Sequence, residues 1–291
     1  MAGKHRVLLC YASASAAADR PLAGRMAATS RRGRNVASLA EKLLLRLSRD
    51  PKAPDYPAGP ERKSLEHSLD LLREVFPGFL QVIQGRRVLD FGCGDGYQAV
   101  AMSQSGAAFV LGLDTNLNTL AQARELAEAT PTRGHVEFAA QLEPRFRGAF
   151  DIVISQNSFE HFPDPGQTLG EMKSALDKGG AIFLTFAPPW YAPYGSHMHF
   201  FTKVPWVNIL LSERTVMNVR KHFRNDGAMR YEDVESGLNK MSVRKFEKLV
   251  SGSGLRIERK SYDCVKRANF LGSIPLIREL FVNRISCALR L

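Results

Sequence analysis

The feature that most constrains the fold is the run Val88-Leu89-Asp90-Phe91-Gly92-Cys93-Gly94-Asp95-Gly96, where an apolar stretch meets glycines at alternate positions. Glycine lacks Cβ, so it takes positive φ and lets a ligand approach the backbone. In a parallel sheet such a turn sits at the carboxyl end of a strand, where open α/β folds bind their ligands. A second apolar stretch, Phe109-Val110-Leu111-Gly112-Leu113, ends at Asp114, 22 residues after Gly92. A carboxylate there can accept hydrogen bonds from both hydroxyls of a ribose. The two features together predict an adenosine-containing cofactor.

Strand and helix signals alternate around this turn. Short apolar runs at 87–91, 109–114, 136–140, 151–155 and 181–186 read as strands. Helical spacing marks 97–105, 117–129 and 167–176, and an amphipathic helix over 61–76 precedes them. Such alternation with short connections implies a parallel sheet covered by helices on both faces. After Phe186 the rhythm breaks into a stretch rich in proline, aromatic residues and histidine, and 187–245 reads as an inserted lid. Strand signals return at 255–262 and 284–289, with an apolar helical stretch over 271–282.

The spacing G-x-G-x-G, flanked by Asp90 and containing Asp95, differs from the G-x-G-x-x-G of dinucleotide folds. Two carboxylates beside the loop would repel a diphosphate but pair with the ammonium and sulfonium charges of S-adenosylmethionine (SAM). The run 90–96 resembles motif I of class I SAM-dependent methyltransferases. Gly112-Leu113-Asp114, Phe150-Asp151-Ile152-Val153, Glu160-His161-Phe162-Pro163-Asp164-Pro165 and Leu176-Asp177-Lys178-Gly179-Gly180 follow in the family's order. The matching region runs from Arg86 to Phe186 and is similar to the ubiquinone/menaquinone-type (type 11-like) branch.

The resemblance implies a Rossmann-like seven-stranded sheet of order 3-2-1-4-5-7-6 with the last strand antiparallel, strands six and seven falling at 255–262 and 284–289. It implies SAM as cofactor, with Gly92, Gly94 and Gly96 around the methionine portion, Asp90 near its ammonium group and Asp114 on the ribose. Cys93, Thr115 and Asn157 complete the expected cofactor shell. Relatives often place an acidic residue after strand three for the adenine amine. Here the stretch reads Ala139-Ala140-Gln141-Leu142-Glu143, so Gln141 or backbone groups take that place.

Methyl transfer by in-line displacement needs alignment first, and an oxygen acceptor also needs a nearby base. The acceptor wall is expected directly after the fifth strand, at Ala187-Pro188-Pro189-Trp190-Tyr191-Ala192-Pro193-Tyr194-Gly195-Ser196-His197-Met198-His199. In an extended segment His197 and His199 would share a face, and their near-neutral titration suits proton removal. His161 is a third catalytic candidate. Trp206, Ile209, Leu210, Leu211 and Met217 suggest a greasy or ring-containing acceptor, or the lid's own small core. Ala187-Pro188-Pro189-Trp190 opens with Ala rather than Asn or Asp and follows strand five, not four, which disfavours amino methylation of bases.

The chain has 291 residues, 44% hydrophobic and 24% charged, and a formal net charge of +11. Residues 1–50 carry ten Lys/Arg against three Asp/Glu, and 211–291 carry seventeen against nine. Residues 1–60 read as a flexible basic segment ending in a linker with Pro51, Pro54, Pro57 and Pro60. The methyltransferase domain is expected to occupy 61–291. No apolar run approaches the ~20 residues of a membrane span. Cys10, Cys93, Cys264 and Cys287 lack metal-ligand spacing, so no metal is expected, and their scatter suits a reducing, cytoplasmic setting. The expected partner is a small-molecule acceptor, lipid-linked, aromatic or sugar-derived, with peripheral membrane contact open. The basic ends also keep open an RNA methyltransferase, and a SAM-binding scaffold without turnover is the non-enzymatic alternative. The oligomeric state is not legible in the sequence.

Overall fold

The computed structural model describes residues 38–53, 64–234 and 237–291. The expected basic leader, most of the proline linker and the start of the expected 61–76 helix lie outside the described residues.

Seven strands, β1 (Arg87–Phe91), β2 (Phe109–Leu113), β3 (His135–Ala139), β4 (Phe150–Gln156), β5 (Leu176–Phe186), β6 (Arg256–Cys264) and β7 (Val282–Arg290), form one sheet. Their order is β3-β2-β1-β4-β5-β7-β6. Strands β1 to β5 pair in parallel, and β7 runs antiparallel to both β5 and β6. The sheet is the one the family resemblance implies.

Ten α-helices accompany it among the described residues: α1 (Leu39–Leu47), α2 (Asp70–Val75), α3 (Phe79–Val82), α4 (Tyr97–Gln104), α5 (Leu117–Ala129), α6 (Pro165–Ala175), α7 (Val207–Leu210), α8 (Glu213–Arg220), α9 (Val243–Gly252) and α10 (Arg278–Phe281). Successive strand residues point to opposite faces, and the core divides accordingly. Leu89, Leu111, Val153 and Leu184 pack with Leu169 and Met172 of α6 and Phe246 and Val250 of α9. Their neighbours Val88, Val110, Ile152 and Phe183 pack with Leu72, Phe79, Ala99 and Met102 of α2 to α4. Apolar residues on consecutive strand positions are thus the signature of a sheet buried on both sides.

Three expectations need correction. The helix expected over 61–76 is described only as α2, Asp70–Val75. Pro77 disfavours helical φ/ψ at Phe76, and Gly78 at φ 79° turns the chain into α3. The stretch 271–282 is not one helix but a short 3-10 segment, Asn269–Ser273, followed by α10. Pro275 lacks an N–H and sets Ile274 at φ −99°, ψ 104°, outside the helical region. Residues 39–47, read as part of a flexible segment, form α1. Ser38 and Glu41 close a capping box at its start, and Leu44 is 1% exposed.

Helix α1 packs on the post-β5 insertion. Leu44 joins Met198, Phe201, Val207, Val216, Met217 and Tyr231 in a third apolar cluster, and Glu41 accepts a 2.6 Å hydrogen bond from Asn218. Arg220, inside this unit, forms a bidentate pair with Asp226, which holds that carboxyl down at about 2. Met217 and Leu211 of this insertion thus serve its own core, whereas Ile209 and Leu210 are exposed. Leu44→Ala should lower stability by about 2–4 kcal/mol, read as a lower denaturation midpoint. An unchanged midpoint would show that α1 is not integral to the unit.

Candidate active site

The carboxyl ends of β1 to β5 lie along one edge of the sheet, and the candidate site is built there. After β1 the chain turns through Gly92 to Gly96, and α4 begins at Tyr97. Gly92 has φ 85°, and a Cβ there would lie 2.6 Å from Ser158 Oγ, so only glycine lets the turn lie against the segment after β4. Gly94 has φ 53°, and a Cβ there would meet no atom within 4 Å, leaving open space over the turn. The turn is tied to β2: Gly92 and Cys93 donate their N–H groups to Leu113 O, and Gly94 N–H donates to Asp114 Oδ2 at 2.9 Å. Asp114 Oδ1 accepts from Asn116 N–H at 2.9 Å, so the carboxylate is aimed at the turn.

Asp90 lies at the fourth position of β1 and is 1% exposed. Its Oδ1 accepts from Gln98 Nε2 at 2.8 Å, whereas Oδ2 is buried without a hydrogen-bond partner. Burial pushes its pKa to about 7, and the charge of Asp114 adds to that rise. A buried carboxylate with one orphaned oxygen accepts a cation more readily than a second anion. Cys93 is buried, and burial beside Asp90 and Asp114 raises its thiol far above the ordinary range, which makes it an inert packing residue. Thr115, Gln141 and Asn157 are exposed just beyond β2, β3 and β4, bordering the same edge. Asn157 adopts the left-handed conformation, φ 51°.

On the acceptor side, the expected sharing of a face by His197 and His199 does not occur. His197 is itself left-handed, φ 57°, and a 3-10 turn over Met198–Phe200 follows, so the two side chains diverge. His199 is exposed, its ring 5.0 Å from that of Tyr194. His197 turns inward onto His161, with ring centroids 5.3 Å apart and edge to face. His161 Nδ1 lies 2.8 Å from Gly237 O and so carries the proton, leaving Nε2 as acceptor. Burial holds His197 down at about 4, so it is neutral near pH 7, and its Nε2 has no hydrogen-bond partner.

The structure adds a residue that the histidine reading missed. Glu160, within the post-β4 motif, is 2% exposed, and burial raises its pKa to about 7. Its Oε1 accepts from Ala187 N–H at 3.2 Å, and its Oε2 has no partner. Glu160 and His197 line one small cavity together with Pro188, Trp190 and Lys240. No group of three or more side chains able to hold a metal occurs among the described residues.

A family model described as a methyltransferase domain matches residues 89–184, from the glycine turn to the end of β5. These residues form a class I methyltransferase domain. A ubiquinone biosynthesis O-methyltransferase of Paracidovorax citrulli is 34% identical over 122 residues, 41% of this chain and 51% of that protein. A tRNA U34 carboxymethyltransferase of Pseudomonas putida is 36% identical over 104 residues, 35% of this chain and 33% of that protein. The chain thus spans about half or less of these relatives' lengths. Among solved structures, a SAM-dependent methyltransferase from Mesorhizobium loti superposes with a TM-score of 0.51 at 20% identity, covering 78% of this chain and all of that one. That likeness concerns the fold.

The methyltransferase domain's buried Asp90 dictates how SAM affinity should respond to pH. The ligand cation favours the ionised carboxylate, which in the free protein is reached only as pH rises through about 7. Affinity should therefore increase about tenfold between pH 6 and pH 8, measured by calorimetry, and Asp90→Asn should abolish the slope. A flat profile in the unsubstituted protein would contradict the cation pairing. Asp114→Ala should weaken SAM binding about a hundredfold through loss of charge-assisted hydrogen bonds, and an unaltered dissociation constant would overturn its ribose role.

Proposed function

We propose that this protein transfers a methyl group from SAM to a small-molecule acceptor held between the sheet edge and the post-β5 insertion. The observation that carries the reading is Asp90: a fully buried carboxylate with an orphaned oxygen beneath an open glycine turn, next to a second carboxylate at the tip of β2. That donor set fits SAM. The space over Gly94 admits its methionine portion, Asp90 receives its ammonium group and Asp114 its ribose hydroxyls. Exposed Thr115 and Gln141 border the adenine side, with Asn157 at the tip of β4. When bound, SAM supplies an electrophilic methyl group.

The chain's own task is then to position an acceptor and remove its proton. Glu160 is the better candidate for the proton. A carboxyl held at about 7 exchanges protons near neutrality, whereas His197 at about 4 is too weak a base and serves as a neutral hydrogen-bond partner. His161, donating to Gly237 O, backs His197 and fixes its ring. Exposed His199 has no part in this arrangement. Trp190 and Pro188 wall this cavity, which has room for about one water molecule, so it would take the acceptor's reacting group and not its body. The quinone O-methyltransferase among the relatives is consistent with a small-molecule acceptor.

Incubation with methyl-labelled SAM and fractionated cell extract identifies the acceptor; label in a small-molecule or lipid fraction supports the reading, and label in RNA overturns it. With that acceptor, Glu160→Gln should reduce kcat about a hundredfold or more while SAM affinity stays within about twofold. The unsubstituted enzyme's kcat should climb as pH rises through about 7, where Glu160 ionises. Full activity in Glu160→Gln would remove it from proton transfer.

A further inference from the structure

We propose that the connection between β6 and β7, residues 265–281, docks this protein on an anionic lipid surface. The connection leaves the sheet at the carboxyl end of β6, the edge that also carries the glycine turn and the acceptor cavity. It displays Leu276, Phe270, Ile274 and Leu280 at 88%, 69%, 41% and 38% exposure. The ring of Phe281 lies 6.3 Å from that of Trp206, which brings α7 alongside with exposed Ile209 and Leu210. Exposed apolar residues gathered on one edge mark an interaction surface rather than ordinary surface scatter.

The display is not a product of looseness. Asn269 Oδ1 accepts from Cys264 N–H at 2.9 Å, and Leu271 packs on the core cluster. At the other end, Glu279 accepts from the N–H groups of Val243 and Arg244, and Arg278 pairs with Glu247. The segment is pinned at both ends and presents its apolar side chains outward. Pro275 between Ile274 and Leu276 prevents a helix that would turn half of them back toward the protein.

Charge decides what covers the patch. Lys266 and Arg267 are exposed at its base, both left-handed at φ 54° and 59°, and no acidic residue occurs from 264 to 278. An apolar tip above a basic collar matches the headgroup and acyl layers of an anionic bilayer. A second copy of the chain, packed through the same patch, would set these cations against themselves. Docking through this edge turns the acceptor side of the sheet toward the lipid, so a lipid-borne acceptor would reach the cavity without crossing water.

The test is co-flotation of the full chain with vesicles of phosphatidylcholine alone or mixed roughly 3:1 with phosphatidylglycerol, at about 0.1 M salt. Binding to the anionic vesicles only, weakening as salt is raised, is expected. Phe270→Ser with Leu276→Ser should lower the partition coefficient at least about tenfold. Lys266→Glu with Arg267→Glu should lower it about thirtyfold or more. All four positions are exposed, so melting curves should match the unsubstituted protein. No binding to anionic vesicles, or binding by either variant equal to that of the unsubstituted protein, would overturn the proposal. So would a dimer in light scattering that the serine variant dissolves while vesicle binding persists. The readout is vesicle binding alone, so its failure leaves the methyl-transfer reading standing, and the converse also holds.

Discussion

The structure depends on one buried carboxylate. Asp90 sits at the end of the central strand with the sheet below it and a glycine turn above, out of contact with water. Keeping it ionised there costs about 4 kcal/mol relative to water, and Gln98 supplies only one hydrogen bond against that cost. In the proposed reading a ligand cation completes this group and offsets the cost of its charge. The glycine turn, the Asp114 hydrogen bonds that hold it and the open space over Gly94 surround the place where that charge would lie. A dinucleotide pyrophosphate would meet two carboxylates there.

The second constraint is closure from above. The insertion after β5 has its own apolar cluster, and α1 completes it, so the insertion stands as a packed unit rather than a loose flap. Between this unit and the sheet lies the cavity of Glu160 and His197. Glu160 is buried and His197 half-buried, and removal from water favours their neutral forms, so neither titrates as it would in water. The result is a proton-exchanging carboxyl and an uncharged imidazole facing one small space, an arrangement suited to an acceptor that must lose a proton near neutral pH.

The sheet was legible because its signals are local and redundant. Strands β1, β2, β4 and the second half of β5 are short apolar runs with most residues buried on both faces, and the chain leaves β1 through glycine and β2 through Asp114. The placement of the candidate cofactor residues was legible on the same grounds: Asp90, the glycines and Asp114 lie at strand ends whose order fixes their neighbours. The acceptor half was not, because it depends on backbone detail. His197 turns inward and His199 outward only because a left-handed residue precedes a 3-10 turn, and sequence spacing alone suggests an extended pair. Glu160 was visible as part of a motif, but its burial comes from Ala187 and the insertion, which lie across the fold. Helix α1 was missed because basic and alanine-rich neighbours obscure a nine-residue amphipathic stretch, although Ser38 and Glu41 at capping spacing could have found it. The stretch 271–282 has helical spacing, but Pro275 divides it.

The most direct test of the central claim is a crystal structure of the protein grown with SAM or its nitrogen-containing analogue. The account predicts the ligand's ammonium group within hydrogen-bond distance of Asp90 and both ribose hydroxyls on Asp114, across the tips of β1 and β2. A crevice left empty at saturating ligand, or one that instead takes up a dinucleotide with its pyrophosphate over Gly94, would contradict it.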